Sequence, residues 1–179
     1  MSAKPRLIGL TGTNGAGKGE AAAYFMARGY AYLSLSDILR NELRARGLEA
    51  SRDNLIRVGN ELRGEFGPDV LARRTLARVA GPTIIDSIRN VREIECLRAA
   101  GDFILLAVDA PIEIRFARVA ARGRDESAAT LEEFRRKEDL ERAGGEAAQQ
   151  LEACLAAADY VIINDGTLED LRRKLENLP

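Results

Sequence analysis

The residues best suited by type and spacing to do chemistry begin at Gly12. The run Gly12-Thr13-Asn14-Gly15-Ala16-Gly17-Lys18 matches GxxxxGK, the core of a phosphate-binding loop. Glycines let the backbone curl until successive N–H groups point inward at phosphate oxygens. The helix that follows turns the positive end of its dipole toward the same anion. Lys18 then reaches the β- and γ-phosphates of a nucleoside triphosphate. Chance supplies two glycines and a lysine at this spacing in roughly one chain of this length in twenty, so context decides. Here the loop follows an apolar strand, Arg6 to Leu10, and opens an alanine-rich helix, Gly17 to Arg28. Gly19 stands where a Ser or Thr usually follows the lysine, and Glu20 comes next. The hydroxyl that normally helps hold Mg²⁺ is therefore missing, which leaves waters, Asp86 or Glu20 to hold the ion.

Other charged residues suit the same chemistry. Asp86 closes the short apolar run Thr83 to Ile85, where a carboxylate holds Mg²⁺ directly or through water; a turn or cap aspartate is the bland alternative. Asp37 follows a second strand, where it either takes a hydroxyl proton from an acceptor or organises the site; an acid in a first helical turn needs no such role. Arg115, Arg118 and Arg122 recur at i, i+3 and i+7, on one helix face. Gly123-Arg124 then breaks the helix and adds a fourth guanidinium. Planar arginine forks suit the spread charge of a transferring phosphoryl group, so Arg118, Arg122 and Arg124 read as functional and Arg115 as surface. Glu132 to Arg142 is dense in both signs. It is either a solvated helix laced with i, i+4 pairs or part of a lid in which Arg135 or Arg136 closes over the phosphates. Asn164 to Thr167 either wraps a nucleobase through its backbone or is a plain turn. Arg40, Arg57 and Arg63 lie on helices of a candidate acceptor arm; Arg40 is the first choice for an acceptor phosphate, and plain surface charge is the alternative for Arg57 and Arg63.

The elements that position these residues alternate. Strand-like segments at Arg6–Leu10, Ala31–Leu35, Thr83–Ile85, Phe103–Val108 and Tyr160–Ile163 are separated by helical patterns, which predicts an α/β fold: a parallel five-stranded sheet between two helical layers, with a small helical lid. Ser36 is expected to cap a helix running to about Arg46, and Ser51 or Asp53 the next. The expected organisation is one domain over 1–179, with an acceptor-binding helical arm near 36–80 and a lid near 123–145. Hydrophobic residues make up 46% of the 179 and charged ones 31%, with a net charge of −1; this argues for a globular chain without nucleic acid as its main partner. The chain has no histidine, which removes Ser-His-Asp and Cys-His triads and leaves Lys, Arg, Asp, Glu, a metal ion and backbone amides. Cys96 and Cys154 stand apart in helical patterns and read as reduced thiols. No apolar stretch suits a bilayer span or a signal peptide, so the expected location is the cytoplasm.

The phosphate loop with Gly19 after the lysine resembles that of adenylate kinase and its nucleoside-monophosphate-kinase relatives, although those carry Thr where this chain has Glu20. Ser36-Asp37-Ile38-Leu39-Arg40 is similar to the segment entering the acceptor site of that family. Ile84-Ile85-Asp86-Ser87-Ile88-Arg89 resembles its strand-end Asp followed, one residue later than here, by an acceptor-binding Arg. The resemblance implies that Arg118 stacks on adenine, that Arg122 clamps phosphate and that Arg89 meets the acceptor. Asp159 to Leu168 resembles dephospho-coenzyme A kinase, Val58 to Arg63 is similar to deoxynucleoside monophosphate kinases, and an archaeal group of adenylate-kinase-related proteins resembles most of the chain. The implied activity is transfer of the γ-phosphate of ATP, with Mg²⁺, to a small nucleotide acceptor. Dephospho-coenzyme A kinase and a nucleotide-binding regulatory module without transferase activity stay open beside it.

Overall fold

Leu7, Ile8 and Leu10 set the layering. In a strand, successive side chains leave on opposite faces. Leu7 accordingly joins one buried cluster with Ile85 and Leu105, while Ile8 and Leu10 join a second with Ile84, Leu106, Val108 and Ile162. The computed structural model describes residues 6–122, 130–142 and 150–178, with side chains at all of these except 140–142. Its strands are β1 (Leu7–Gly12), β2 (Ala31–Ser34), β3 (Thr83–Asp86), β4 (Phe103–Asp109) and β5 (Tyr160–Ile163). They form a sheet in the order β2-β3-β1-β4-β5, with every pairing parallel.

The helices are α1 (Lys18–Met26), α2 (Leu35–Ala45), α3 (Arg52–Phe66), α4 (Val70–Leu76), α5 (Val91–Ala99), α6 (Ile112–Ala121), α7 (Leu131–Arg142), α8 (Leu151–Ala156) and α9 (Leu168–Glu176). Ala21, Ala22 and Phe25 of α1 and Leu171 and Leu175 of α9 cover one sheet face. The other face is covered by α2, α3, α4, α5 and α8, through residues such as Leu39, Leu62, Leu71, Leu97 and Cys154. Leu35, Leu39 and Leu43, spaced four apart, give α2 one buried stripe; burying each such leucine contributes about 1.5–3 kcal/mol. The expected parallel α/β/α layering is therefore present. Among the described residues, no helix is long and apolar enough to cross a membrane.

One local expectation changes, and two hold. The cap of α2 is Ser34, not Ser36: Ser34 sits at the extended end of β2 (φ −126°, ψ 134°), and its hydroxyl accepts the Ser36 N–H. The α3 cap is Ser51, which accepts from Asn54 N–H. Around Cys96 the helical pattern is α5, started by a capping box in which Asn90 and Glu93 exchange bonds. Both cysteines are free thiols. Burial pushes the Cys154 thiol up to about 12, which keeps it protonated and unreactive.

Register brings the functional ends of the strands level. Gly12 pairs with Val108, Ser34 with Asp86 and Asp109 with Ile163. Gly12, Asp86, Asp109 and Asn164 therefore gather at the carboxyl edge of the sheet, where open α/β sheets bind ligands.

Candidate active site

The loop between β1 and α1 adopts a conformation that only glycine tolerates well. Gly12, Gly15 and Gly17 have φ of 140°, 78° and 103°. A Cβ on Gly12 would lie 2.0 Å from the Val108 carbonyl oxygen, and one on Gly17 would lie 2.3 Å from Asn164 Nδ2. Left-handed backbone on a residue with a side chain costs about 1–3 kcal/mol. Gly17→Ala combines that strain with the clash on Asn164, so it is expected to weaken ATP binding roughly tenfold or more, read by calorimetric titration.

If the loop's N–H groups are to face an anion, its carbonyls must be held elsewhere, and side chains from several strand ends do this. Gly12 O accepts from Lys18 Nζ at 3.0 Å and Arg89 Nη1 at 2.5 Å. Thr13 O accepts from Lys18 Nζ at 2.8 Å, and Asn14 O from Arg115 Nη1 at 3.3 Å. Ala16 O accepts from Asn164 Nδ2 at 2.8 Å and Arg118 Nη1 at 3.4 Å. Thr13 Oγ1 donates to Asp109 Oδ1 at 2.5 Å. The Arg89 and Arg118 guanidiniums and the Lys18 ammonium thus add positive charge beside the loop, which favours a polyanionic ligand.

On one side of the loop lies a cavity of about 270 Å³ lined by Lys18, Asp86, Arg89 and residues of the α2–α3 arm, among them Arg40, Arg52 and Arg63. Four arginines and one lysine face a single carboxylate there, next to Leu35, Leu39, Leu55 and Ile56. Arg63 is 3% exposed. Its Nε and Nη2 donate to Glu93 Oε1 at 3.0 and 2.8 Å, and its Nη1 has no hydrogen-bond partner among the described residues. Arg40 Nη1 pairs with Asp37 Oδ1 at 2.9 Å, both half exposed. Ser36 and Arg40 line the cavity and Asp37 does not; the Asp37 carboxylate is engaged in holding Arg40. Asp86 is almost buried. Its Oδ2 accepts from Tyr32 OH at 2.8 Å and its Oδ1 from Ser87 N–H at 2.6 Å. Burial, followed by the Asp86 charge, raises the Tyr32 phenol well above its usual range, so Tyr32 stays a donor. Ser87 itself has φ 66°, a conformation that lets its N–H turn back to Asp86.

On the other side a second cavity, about 370 Å³, is lined by Gly17, Glu20, Arg118, Arg122, Asn164, Gly166 and neighbours. Arg118 Nη1 also donates to Asn164 O at 3.1 Å, which ties α6 to the turn after β5. Glu20 faces this second cavity, whereas Asp86 faces the first, across the loop.

The structure thus brings Gly12 to Lys18, Arg89 and Asp86 together, with Arg40 and Arg63 across the first cavity. Glu20, Arg118, Arg122, Asn164 and Gly166 converge on the second. Gly19 is exposed with open space around it. Arg57 pairs with Glu61 at the surface. Arg124 lies outside the described residues, as do 123–129 and 143–145 of the range assigned to a lid; Thr130 and α7 make up the rest. Arg115 is a correction: it is 3% exposed and joined to Glu138 by both terminal nitrogens. Asp109, Glu93 and Glu138 were not singled out from the sequence. The only signal for Asp109 is its place at the end of an apolar strand, like Asp86.

A model of the AAA domain family matches residues 8–144. The UPF0200 protein of Thermococcus gammatolerans is 33% identical over 96% of this chain and 93% of its own length. The UPF0200/UPF0201 protein of Archaeoglobus fulgidus is 31% identical over 99% of this chain, which spans only 56% of that protein. Among solved structures, the Thermus thermophilus protein TT1252 superposes with a TM-score of 0.61 at 26% identity, covering 97% of this chain and 96% of that one. A shikimate kinase from Acinetobacter baumannii superposes with a TM-score of 0.52 at 18% identity over 96% of this chain and 90% of its own, a likeness of fold alone. With a glycine loop, a level strand edge and these matches in place, the chain belongs to the AAA domain family and to the UPF0200 proteins, and it has a P-loop kinase-like fold.

Proposed function

We propose that the protein is an ATP-dependent phosphotransferase whose acceptor is a nucleoside or deoxynucleoside monophosphate. The observation that carries this reading is the pair of cavities on either side of one phosphate loop, with Lys18 at the end that meets the arginine-rich cavity. The nucleobase of ATP would occupy the cavity of Arg118, Asn164 and Gly166, with its phosphates on the loop. The acceptor's phosphate would meet Arg40, Arg63 and Arg89, and its base the leucines of the arm. Held in that way, donor and acceptor need little further chemistry from the protein, because phosphoryl transfer depends on positioning and on stabilising spread negative charge. Lys18 supplies a cation at the β- and γ-phosphates. Arg122, and Arg124 beyond it, are proposed to add guanidiniums to the transferring group.

Mg²⁺ fits the residues present. Each Asp86 oxygen accepts a hydrogen bond, one from Tyr32 OH and one from Ser87 N–H, and keeps lone-pair capacity toward the cavity it lines with Lys18. Mg²⁺ asks for one or two carboxylates, with water and phosphate oxygens supplying the rest. Asp86 would hold it, and the ion would neutralise charge on the phosphates.

A phosphate acceptor is favoured over a hydroxyl acceptor by the charge of the first cavity and by Asp37. A hydroxyl needs a base to take its proton, and the Asp37 carboxylate is held by Arg40 outside the cavity lining. Dephospho-coenzyme A kinase is therefore the second reading. The test is ATP consumption with Mg²⁺ across nucleoside monophosphates, deoxynucleoside monophosphates and dephospho-coenzyme A. Turnover with a monophosphate is expected. Turnover with dephospho-coenzyme A alone would replace the proposal by the second reading, and tight ATP binding without any transfer would make the chain a regulatory module. With the best acceptor, Arg40→Ala is expected to raise the acceptor KM about tenfold, the loss of one charge-assisted hydrogen bond, while ATP affinity stays unchanged.

A further inference from the structure

We infer that Glu138 is a positioning residue for the phosphate loop, acting through Arg115. Arg115 and Glu138 are 3% and 5% exposed, so this pair is in the interior, far from the solvated i, i+4 pairs of an ordinary charged helix. Arg115 Nη1 and Nη2 each meet one oxygen of Glu138. The same guanidinium donates from Nε to Ala110 O at 2.7 Å and from Nη1 to Asn14 O at 3.3 Å. Asp109 Oδ1 lies 3.7 Å from Arg115 Nε, and that oxygen also accepts Thr13 Oγ1 at 2.5 Å and Ala110 N–H at 2.8 Å. One guanidinium therefore connects α7, the turn after β4 and two residues of the phosphate loop.

The chemistry explains why the link matters. Asn14 O belongs to a loop whose N–H groups are to face phosphate oxygens, and a carbonyl that swung inward would set its lone pairs against that anion. Arg115 holds it outward. A buried guanidinium keeps its place only while a carboxylate balances its charge, and bidentate pairing fixes the plane of the fork. Glu138 does both. Phe134, 1% exposed, seats α7 against Val119, Ile112 and Phe116 of α6, so the carboxylate is delivered by a packed helix. The expected consequence is that a change on α7, which lines neither cavity, alters affinity for the donor phosphates.

The inference rests on the phosphate-loop part of the proposed function and not on the identity of the acceptor, so its test uses donor binding alone. The Kd of a fluorescent ATP analogue is measured with Mg²⁺ for the wild type, Glu138→Gln, Arg115→Lys and the double variant, alongside thermal melting. Glu138→Gln keeps the shape and removes the charge. It is expected to raise the Kd roughly tenfold, and Arg115→Lys to do the same, with the double variant no weaker than Arg115→Lys alone. Arg115→Lys also serves if Glu138→Gln melts too low to measure. A folded Glu138→Gln with the wild-type Kd, or two effects that simply multiply, would overturn the inference and reduce the pair to a structural tie. A wild type that binds the analogue yet transfers to no acceptor removes the proposed activity and leaves this inference standing. A wild type that fails to bind it removes both.

Discussion

Lys18→Met is expected to lower phosphoryl transfer about 10³-fold while the protein stays folded. The two effects separate because Lys18 has two kinds of partner. In the structure its ammonium donates to Gly12 O and Thr13 O at 3.0 and 2.8 Å. Gly12 O also accepts from Arg89 Nη1, and Thr13 O from Ala16 N–H at 3.4 Å, so both carbonyls keep a donor when the ammonium is gone. What is lost is the cation proposed to meet the β- and γ-phosphates. A factor of 10³ corresponds to about 4 kcal/mol of transition-state stabilisation, a fair share for one charge in a site built from charges. Steady-state rates with the best acceptor, next to a thermal melt of the same sample, check both halves. Near-normal turnover in a folded Lys18→Met variant would remove Lys18 from the chemistry.

Glu93→Ala is expected to be the most damaging single change to stability. Glu93 is completely buried and each of its oxygens is used twice. Oε1 takes Arg63 Nε and Nη2 at 3.0 and 2.8 Å; Oε2 takes the N–H groups of Arg89 and Asn90 at 2.9 and 3.0 Å. Truncation leaves a buried guanidinium unbalanced and two N–H groups at the start of α5 unpaired. Removing one partner of a buried pair costs about 3–5 kcal/mol, a large part of the roughly 5–15 kcal/mol that holds a domain together. For a chain of this size the melting temperature should fall by about 6–20 °C. Glu93→Gln, which keeps an acceptor and loses the charge, should fall between. Because Arg63 and Arg89 both line the first cavity, acceptor binding is expected to fail with stability. An unchanged melting temperature for Glu93→Ala would show that the pair does not hold α3 to α5.

What could be read from the sequence followed from locality. The loop was legible because its glycines, its lysine and the apolar strand before it sit within about a dozen consecutive residues. Asp86 was legible as the polar end of an apolar run, and β5 came out at Tyr160–Ile163 as expected. The partners that decide burial were not legible, because they lie far along the chain. Arg115 shares a helix face with Arg118, yet Glu138, 23 positions on, turns it inward. Arg63 was legible as an arginine of the acceptor arm, with plain surface charge as the alternative, but its burial was not, because Glu93 lies 30 positions away. Asp37 and Arg40 had the correct helix but an unseen bond to each other. Ser34 and Ser36 are equally good capping residues by type; the extended backbone at the end of β2 selects Ser34.

The central claim is that a phosphate moves from ATP, held on the loop at Lys18, to a phosphate held by Arg40, Arg63 and Arg89. Phosphorus NMR of the protein with ATP, Mg²⁺ and the preferred monophosphate follows that atom directly. The γ resonance of ATP should decline as the acceptor's single phosphate resonance is replaced by the coupled pair of a diphosphate. A γ-phosphate that appears only as free inorganic phosphate, or that stays on ATP with every monophosphate offered, would contradict the claim.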